Sequence, residues 1–333
     1  MIIPNDDIFP YYFYFMQERM NIFWNKYNQN YPLTNDKILE ENKFTNVYRA
    51  MDRVSQYLIR NVIYSDEDYS NEDILFRIII FKIFNKIETW EFLDNEFGKI
   101  SIKNFDLSKY NQALSGLKER RPIFNNAYMM TGTHSLYNHL NFKHEKWLSM
   151  VSNELIGDEI FKQIIEADSL SSVFNLLRNC SFIGDFLAYQ YAIDMNYSQV
   201  INFDENSYVK AGIGAIRGIK KCFKTLPKNY TYEDAIVFTQ ENLENYRVKY
   251  GFTDFKNLFG IEPTLIDLQN CFCETDKYLR VKVPELQIDN KRIKQKYKES
   301  QQNLQLFFPP KWDINQEIEK PCISPNSREL TLF

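Results

Sequence analysis

The chain has 333 residues, 44% hydrophobic and 16% aromatic, which excludes a disordered polymer, and its 10 Gly and 11 Pro argue against a β-sandwich or barrel. A formal net charge of −4 excludes a globally basic nucleic-acid binder, so any polyanion must meet local patches. Cysteines 180, 222, 271, 273 and 322 match no zinc spacing and read as free thiols of a reducing cytoplasm. The N-terminus MIIPNDD lacks the basic start of a signal peptide, and the apolar run Ile78–Phe81 is too short to span a membrane. The expectation is an all-α cytoplasmic protein without cofactor, metal or membrane contact.

Residues 9–30 predict an aromatic-rich helix ended by Pro32, with Thr34 or Asn35 capping the next, DKILEENK. In FTNVYRAMDRVSQYL, Thr45 or Asn46 is the expected N-cap, and Val47, Met51, Val54, Leu58 and Val62 share one helical face. Arg49, Asp52, Arg53 and Gln56 fall on a neighbouring face. They suit either a surface charge lattice or an arginine pair aimed at phosphate or a modified base, with Asn46 as a polar reader. Residues 70–97 and 106–121 predict further helices. Segment 126–144 is irregular, and its His134, His139 and His144 lack the spacing of a metal pair. There Tyr128, Met129, Thr131 and His134 line either a plain surface loop or a base pocket. Glu145–Ala167 predicts a helix, and Asp168-Ser169 caps the one that follows.

The next stretch carries most of the chemistry. Phe182-Ile183-Gly184 predicts a turn with Gly184 at positive φ, followed by a helix, 186–197, apolar on most sides. A carboxylate, Asp204, follows in an apolar context. Gly212-Ile213-Gly214 opens a helix bearing Arg217, Lys220, Lys221 and Lys224. Two glycine turns at helix N-termini suit successive phosphates, and equally suit ordinary caps. Residues 231–249 predict a helix capped by Thr231, and Glu262-Pro263-Thr264 opens another with Glu274, Lys277 and Tyr278 within one turn. Asn290 precedes KRIKQKYK, a basic arm that points to a polyanion.

The order glycine turn, apolar helix, loop and acid resembles the helix-hairpin-helix DNA glycosylase superfamily. FTNVYRAMDRVSQYL, FIGDFLAYQYAIDMNYS, GIGAIRGIKK and LQNCFCETDKYLR resemble, in order, one branch of it. That branch is the helical domain found with 5-hydroxymethyldeoxyuridine DNA kinases, also known as the α-glutamyl/putrescinyl thymine pyrophosphorylases. The resemblance implies two helical lobes around a DNA cleft. Residues 1–99 form part of an N-terminal lobe, 100–225 the hairpin lobe, 226–312 the closing helices with the basic arm, and 313–333 a tail. It implies Asp204 as the catalytic acid and Asn46, Arg49, Asp52 and Arg53 on the base. Gly184, Gly212, Gly214, Arg217, Lys220, Lys221 and Lys277 would hold double-stranded DNA.

The implied activity is that of a monofunctional DNA glycosylase. Phe186 stands where bifunctional members carry a Schiff-base lysine, and Phe182 replaces one family glycine. The iron–sulfur cysteine pattern of some members is absent. The expected enzyme flips out and excises a glucosylated hydroxymethyl pyrimidine from phage DNA, leaving an abasic site, in anti-phage defence. The alternatives are a phage hypermodification enzyme that displaces pyrophosphate from activated hydroxymethyluracil, and a DNA-binding module without chemistry.

Overall fold

A computed structural model describes residues 2–126, 130–286, 288, 293, 295–297 and 305–318. In chain order the helices are α1 Pro10–Tyr27, α2 Lys37–Glu41, α3 Arg53–Tyr57, α4 Asn71–Phe84, α5 Ile87–Phe97, α6 Leu107–Arg120 and α7 Lys143–Met150. They continue with α8 Ile160–Ile165, α9 Leu170–Arg178, α10 Asp185–Asn196, α11 Ile213–Cys222, α12 Tyr232–Glu241, α13 Leu243–Lys249 and α14 Leu265–Lys282. One small antiparallel pair, β1 Ile3–Pro4 with β2 Phe223–Thr225, was not expected from the sequence. The chain is thus mostly helical. No helix among the described residues is long and apolar enough to cross a membrane.

Several helix starts follow local chemistry. The side chains of Ser70, Asp106, Ser169 and Thr231 each accept a first-turn N–H, of Asp73, Lys109, Ser172 and Asp234. Thr264 and Asp267 form a reciprocal capping box at the start of α14. Two expected starts move. Asp36, not Thr34 or Asn35, caps α2, because its Oδ1 accepts from both Ile38 and Leu39. The helix expected from Thr45 or Asn46 begins only at Arg53, after a short 3₁₀ turn, Arg49–Met51.

Two compact units form, Met1–Gln56 with Tyr208–Phe333, and Tyr57–Ser207. In the first, α14 is the central helix, with Leu268, Cys271, Phe272, Tyr278 and Leu279 fully buried. Phe9, Tyr12, Phe13, Phe223 and Tyr246 form an aromatic cluster beside it. Helix α11 approaches α14 closely because Gly214 and Gly218, one turn apart, carry no side chain. A Cβ at Gly218 would lie 2.0 Å from the Phe272 carbonyl oxygen, and one at Gly214 2.2 Å from Cys273 Sγ. In the second unit α4 is central, buried from Leu75 to Phe84. Arg77 on α4 is buried, and its Nε donates to the Val62 carbonyl at the end of the π-helical turn Leu58–Ile63. Helices α9 and α10 pack as a hairpin, and every residue of α10 from Leu187 to Asn196 is buried.

The two kinds of glycine separate in a stability measurement. Gly218→Ala must push backbone against backbone and is expected to cost about 2–3 kcal/mol in urea denaturation. Gly184 has φ −82° and open space around its Cβ position. Gly184→Ala is expected to cost under about 1 kcal/mol. Equal losses would contradict the packing role of Gly218.

Candidate active site

The first unit contains a buried polar cluster built on an extended segment, Phe44–Tyr48, laid against α14. Such a segment has no helix or sheet partner for its backbone donors, and buried N–H groups left unpaired are costly. Carboxylates supply the partners. Thr45 N–H donates to Glu274 Oε2 at 3.0 Å, Asn46 N–H to Asp52 Oδ1 at 2.9 Å, and Arg49 N–H to Asp267 Oδ1 at 2.7 Å. Asn270 Nδ2 reaches both Thr45 Oγ1 and the Asn46 carbonyl. These bonds hold the segment extended, which is why the expected helix fails to start at Thr45.

Asn46, 3% exposed, is the hub. Its Oδ1 accepts from Arg19 NH2 at 2.7 Å, while its Nδ2 donates to Asp52 Oδ1 at 3.1 Å and to the Met51 carbonyl. Asp52 Oδ1 therefore receives two hydrogen bonds. Asp52 Oδ2 receives none from the described residues, and Asp52 keeps partial solvent exposure. Burial pushes the Asp52 carboxyl up to about 6 and nearby Glu274 adds to the rise, while the Asn46 N–H, Arg19 and Arg49 oppose it. Glu274 Oε2 also receives Lys277 Nζ at 2.8 Å, and that ammonium stands 4.5 Å from the Phe44 ring centroid. Arg49, in the 3₁₀ turn, is buried, and Arg53, at the start of α3, is partly exposed. The arrangement sets a carboxyl raised to about 6 beside Arg19, Arg49 and Glu274, and raised carboxyls of this kind recur at functional sites and in structural ion networks alike.

Of the expected base-contacting residues, Asn46, Arg49, Asp52 and Arg53 fall together, and Lys277 joins them from α14. Arg19, Asn270 and Asp267 complete the cluster and carried no signal of their own. An arginine inside the aromatic run of α1 was a hint, since a buried guanidinium needs partners.

The other expected residues lie elsewhere. Gly212 is the N-cap of α11, and Gly214 meets Cys273. Lys220 is exposed and Arg217 partly exposed, whereas Lys221 turns inward, 2.8 Å from Asp276 Oδ1. Arg280 holds the other oxygen of Asp276 at 2.5 Å. In the second unit Gly184 is the N-cap of α10. The left-handed residue of the turn is Phe182, at φ +67°, not Gly184. A non-glycine residue there costs roughly 1–2 kcal/mol. The Phe182 ring offsets it by packing on Trp147, His134 and Tyr137 at 5.2–5.4 Å. Asp204 is exposed and accepts from Asn206 N–H at 2.9 Å, in a loop pinned by reciprocal bonds between Asn196 and Phe203. His144 is buried, with Nε2 3.1 Å from Ser115 Oγ. Tyr128 and Met129, and Lys291, Arg292, Lys294 and Lys298 of the basic arm, lie outside the described residues. The remaining arm residues 295–297 run extended against 41–43.

Residues 6–288 match the family model described as "5-hmdU DNA kinase, helical domain". A 5-hmdU DNA kinase of Bacillus phage SP10 is 25% identical over 288 residues, covering 80% of this chain and 44% of the relative. The chain therefore spans less than half the length of that curated relative. No solved structure matches. These findings correct the expected activity. The relative is a DNA kinase, a transferase, so they contradict a monofunctional glycosylase and with it the hydrolase and glycosidase class.

The Asp52 environment predicts a pH dependence of stability. Its carboxyl rises from 3.8 to about 6, so the fold favours the protonated form. The resulting stability is full below about pH 4 and is lost as pH rises through about 6, by up to about 3 kcal/mol. Asp52→Asn keeps an oxygen for Asn46 and cannot ionise. Urea denaturation of the variant is expected to lose this part of the slope between pH 4 and 7 and to show higher stability at pH 8. An unchanged slope would contradict the burial of the charge.

Proposed function

The chain belongs to the family of the 5-hmdU DNA kinase helical domain, and from that premise we propose that it modifies 5-hydroxymethyluracil in DNA, displacing pyrophosphate from the activated hydroxymethyl group. The observation that carries this reading is the Asp52 cluster, which lies inside the family-matched segment and combines an acid near neutrality with Arg49, Arg53, Arg19 and Lys277. Residues 1–333 contain no GxxxxGK[ST] loop, so what they offer is not a P-loop nucleotide cradle but a site for an anion already attached to the base.

In the proposed step an amine attacks the methylene carbon at C5. The C–N bond forms, the C–O bond to the pyrophosphate breaks, and the leaving group departs with that electron pair. The amine gives its proton to Asp52 Oδ2. Arg49 and Arg53 neutralise the charge growing on the pyrophosphate. The cluster supports this assignment because Asp52 has one anchored oxygen and one open, as a base needs.

The α9–α10 hairpin of the second unit is proposed as a DNA-holding part of a helix-hairpin-helix type fold; the N-terminus of α11, in the first unit, is a separate candidate phosphate contact. Gly184 and Gly212 are the N-caps of α10 and α11, and helix N-termini are proposed to meet phosphate there. Lys220 and Arg217 add charge at α11. Asp204, exposed beyond the hairpin, is retained as a second candidate acid.

The test uses DNA carrying 5-hydroxymethyluracil pyrophosphate and a small primary amine. Pyrophosphate release and a nucleoside heavier by the amine are expected, both dependent on protein. Asp52→Asn is expected to lower kcat roughly 10²-fold or more, with DNA affinity close to wild type, and Asp204→Asn is expected to lower it less. DNA binding without pyrophosphate release would contradict the enzyme reading.

A further inference from the structure

Arg19 lies outside every motif that marked the site. It sits mid-way along α1, where its neighbours Phe15, Met16, Met20 and Phe23 are core residues. Its Nε donates to the Thr45 carbonyl at 3.1 Å and its NH2 to Asn46 Oδ1 at 2.7 Å. We propose that Arg19 is the positioning residue of the Asp52 site: by holding the Asn46 carboxamide oxygen it fixes Asp52 with Oδ1 anchored and Oδ2 open to substrate. This rests on the reading of Asp52 as the base.

The argument is one of donors and acceptors. A guanidinium has only donors, so the Asn46 group that faces it must be the oxygen. The amide NH2 is then forced to the opposite side, where it meets Asp52 Oδ1 at 3.1 Å and the Met51 carbonyl at 3.3 Å. Backbone N–H of Asn46 reaches the same Asp52 oxygen. Both bonds fall on Oδ1, and the orientation of the amide decides whether that oxygen keeps its second donor or meets an opposing oxygen. Without the guanidinium, Asn46 is no longer held in one orientation. A flipped amide would set its oxygen against the carboxylate and expel it from this position.

The surroundings make the effect readable. Asp52 is faced by Arg19 from α1, Arg49 from the 3₁₀ turn and Glu274 from α14. Arg19 is faced in turn by Asp52, Glu274, Cys271 and Tyr297. Glu274 is already paired with Lys277. Removing Arg19 therefore removes both a hydrogen-bond anchor and a positive charge from Asp52, and both losses disfavour its ionised form. A merely structural role, bracing α1 against residues 45–46, would lower stability and leave the Asp52 titration where it was.

Arg19→Gln and Arg19→Lys in the full chain separate these cases. The Asp52 carboxyl is followed by ¹³C NMR of labelled aspartate, assigned by its disappearance in Asp52→Asn. Arg19→Gln is expected to raise the Asp52 midpoint by about one pH unit. Arg19→Lys, which keeps the charge and one donor, is expected to return it toward wild type. In the transfer assay the acid limb of the kcat profile should move up by the same amount, with kcat reduced roughly tenfold on that limb and about twofold at pH 7, and KM for DNA unchanged. An unmoved midpoint in Arg19→Gln, with only a lower Tm, would overturn the proposal. The titration needs no turnover, so a wild-type protein that releases no pyrophosphate would refute the function while the midpoint still judges Arg19.

Discussion

The site depends on buried carboxylates that take the place of secondary structure. Segment 44–48 runs extended beside α14 with no strand partner among the described residues, and Glu274, Asp52 and Asp267 accept backbone N–H groups from Thr45, Asn46 and the adjoining Arg49. A hydrogen bond to a charged acceptor contributes about 1.5–3 kcal/mol, and an unpaired buried donor would cost as much. α14 must therefore be both a core helix and a site helix. Its apolar face carries Leu268, Phe272 and Leu279, and its polar positions Asp267, Asn270, Glu274 and Lys277 recur at three- and four-residue steps, on one side. Gly214 and Gly218 let α11 press against α14 and hold it in place.

That double duty explains what the sequence could and could not reveal. Helix caps were legible where they are local: Ser169 and Thr231 cap α9 and α12 as their acceptor chemistry predicts. The density of charge in FTNVYRAMDR marked Asn46, Arg49, Asp52 and Arg53, and the structure gathers them. Their local form was misread. Apolar spacing from Val47 to Val62 fits a helix, but the segment is also held by Glu274 and Asn270, more than two hundred positions away, which no local pattern reveals. Arg19 was invisible for the same reason, since its partners Thr45 and Asn46 sit on another element. Gly184 and Phe182 exchanged roles because propensity assigns positive φ to glycine, whereas here three aromatic neighbours hold the phenylalanine there. Lys221 read as part of a basic helix face, yet Asp276 draws it inside.

The correction of the activity follows similar logic. A glycine turn followed by an apolar helix and an acid describes a way to hold a chain, and it suits more than one chemistry. What distinguishes reactions is the set of groups around the reacting atoms. In the proposed site of the first unit these would be several cations and the raised Asp52 carboxyl, a set suited to a leaving anion and a departing proton. Family membership and the kinase relative point to transfer chemistry on a hydroxymethylated base, and the cluster gives that proposal a physical form.

Amide hydrogen exchange tests the central arrangement directly. The N–H groups of Thr45, Asn46 and Arg49 belong to no helix or strand, yet the carboxylate bonds predict exchange slowed by ~10³-fold or more relative to an open loop. Glu274→Ala should release Thr45 selectively while the amides of α14 stay protected. Rapid exchange of all three in the wild-type protein would contradict the account.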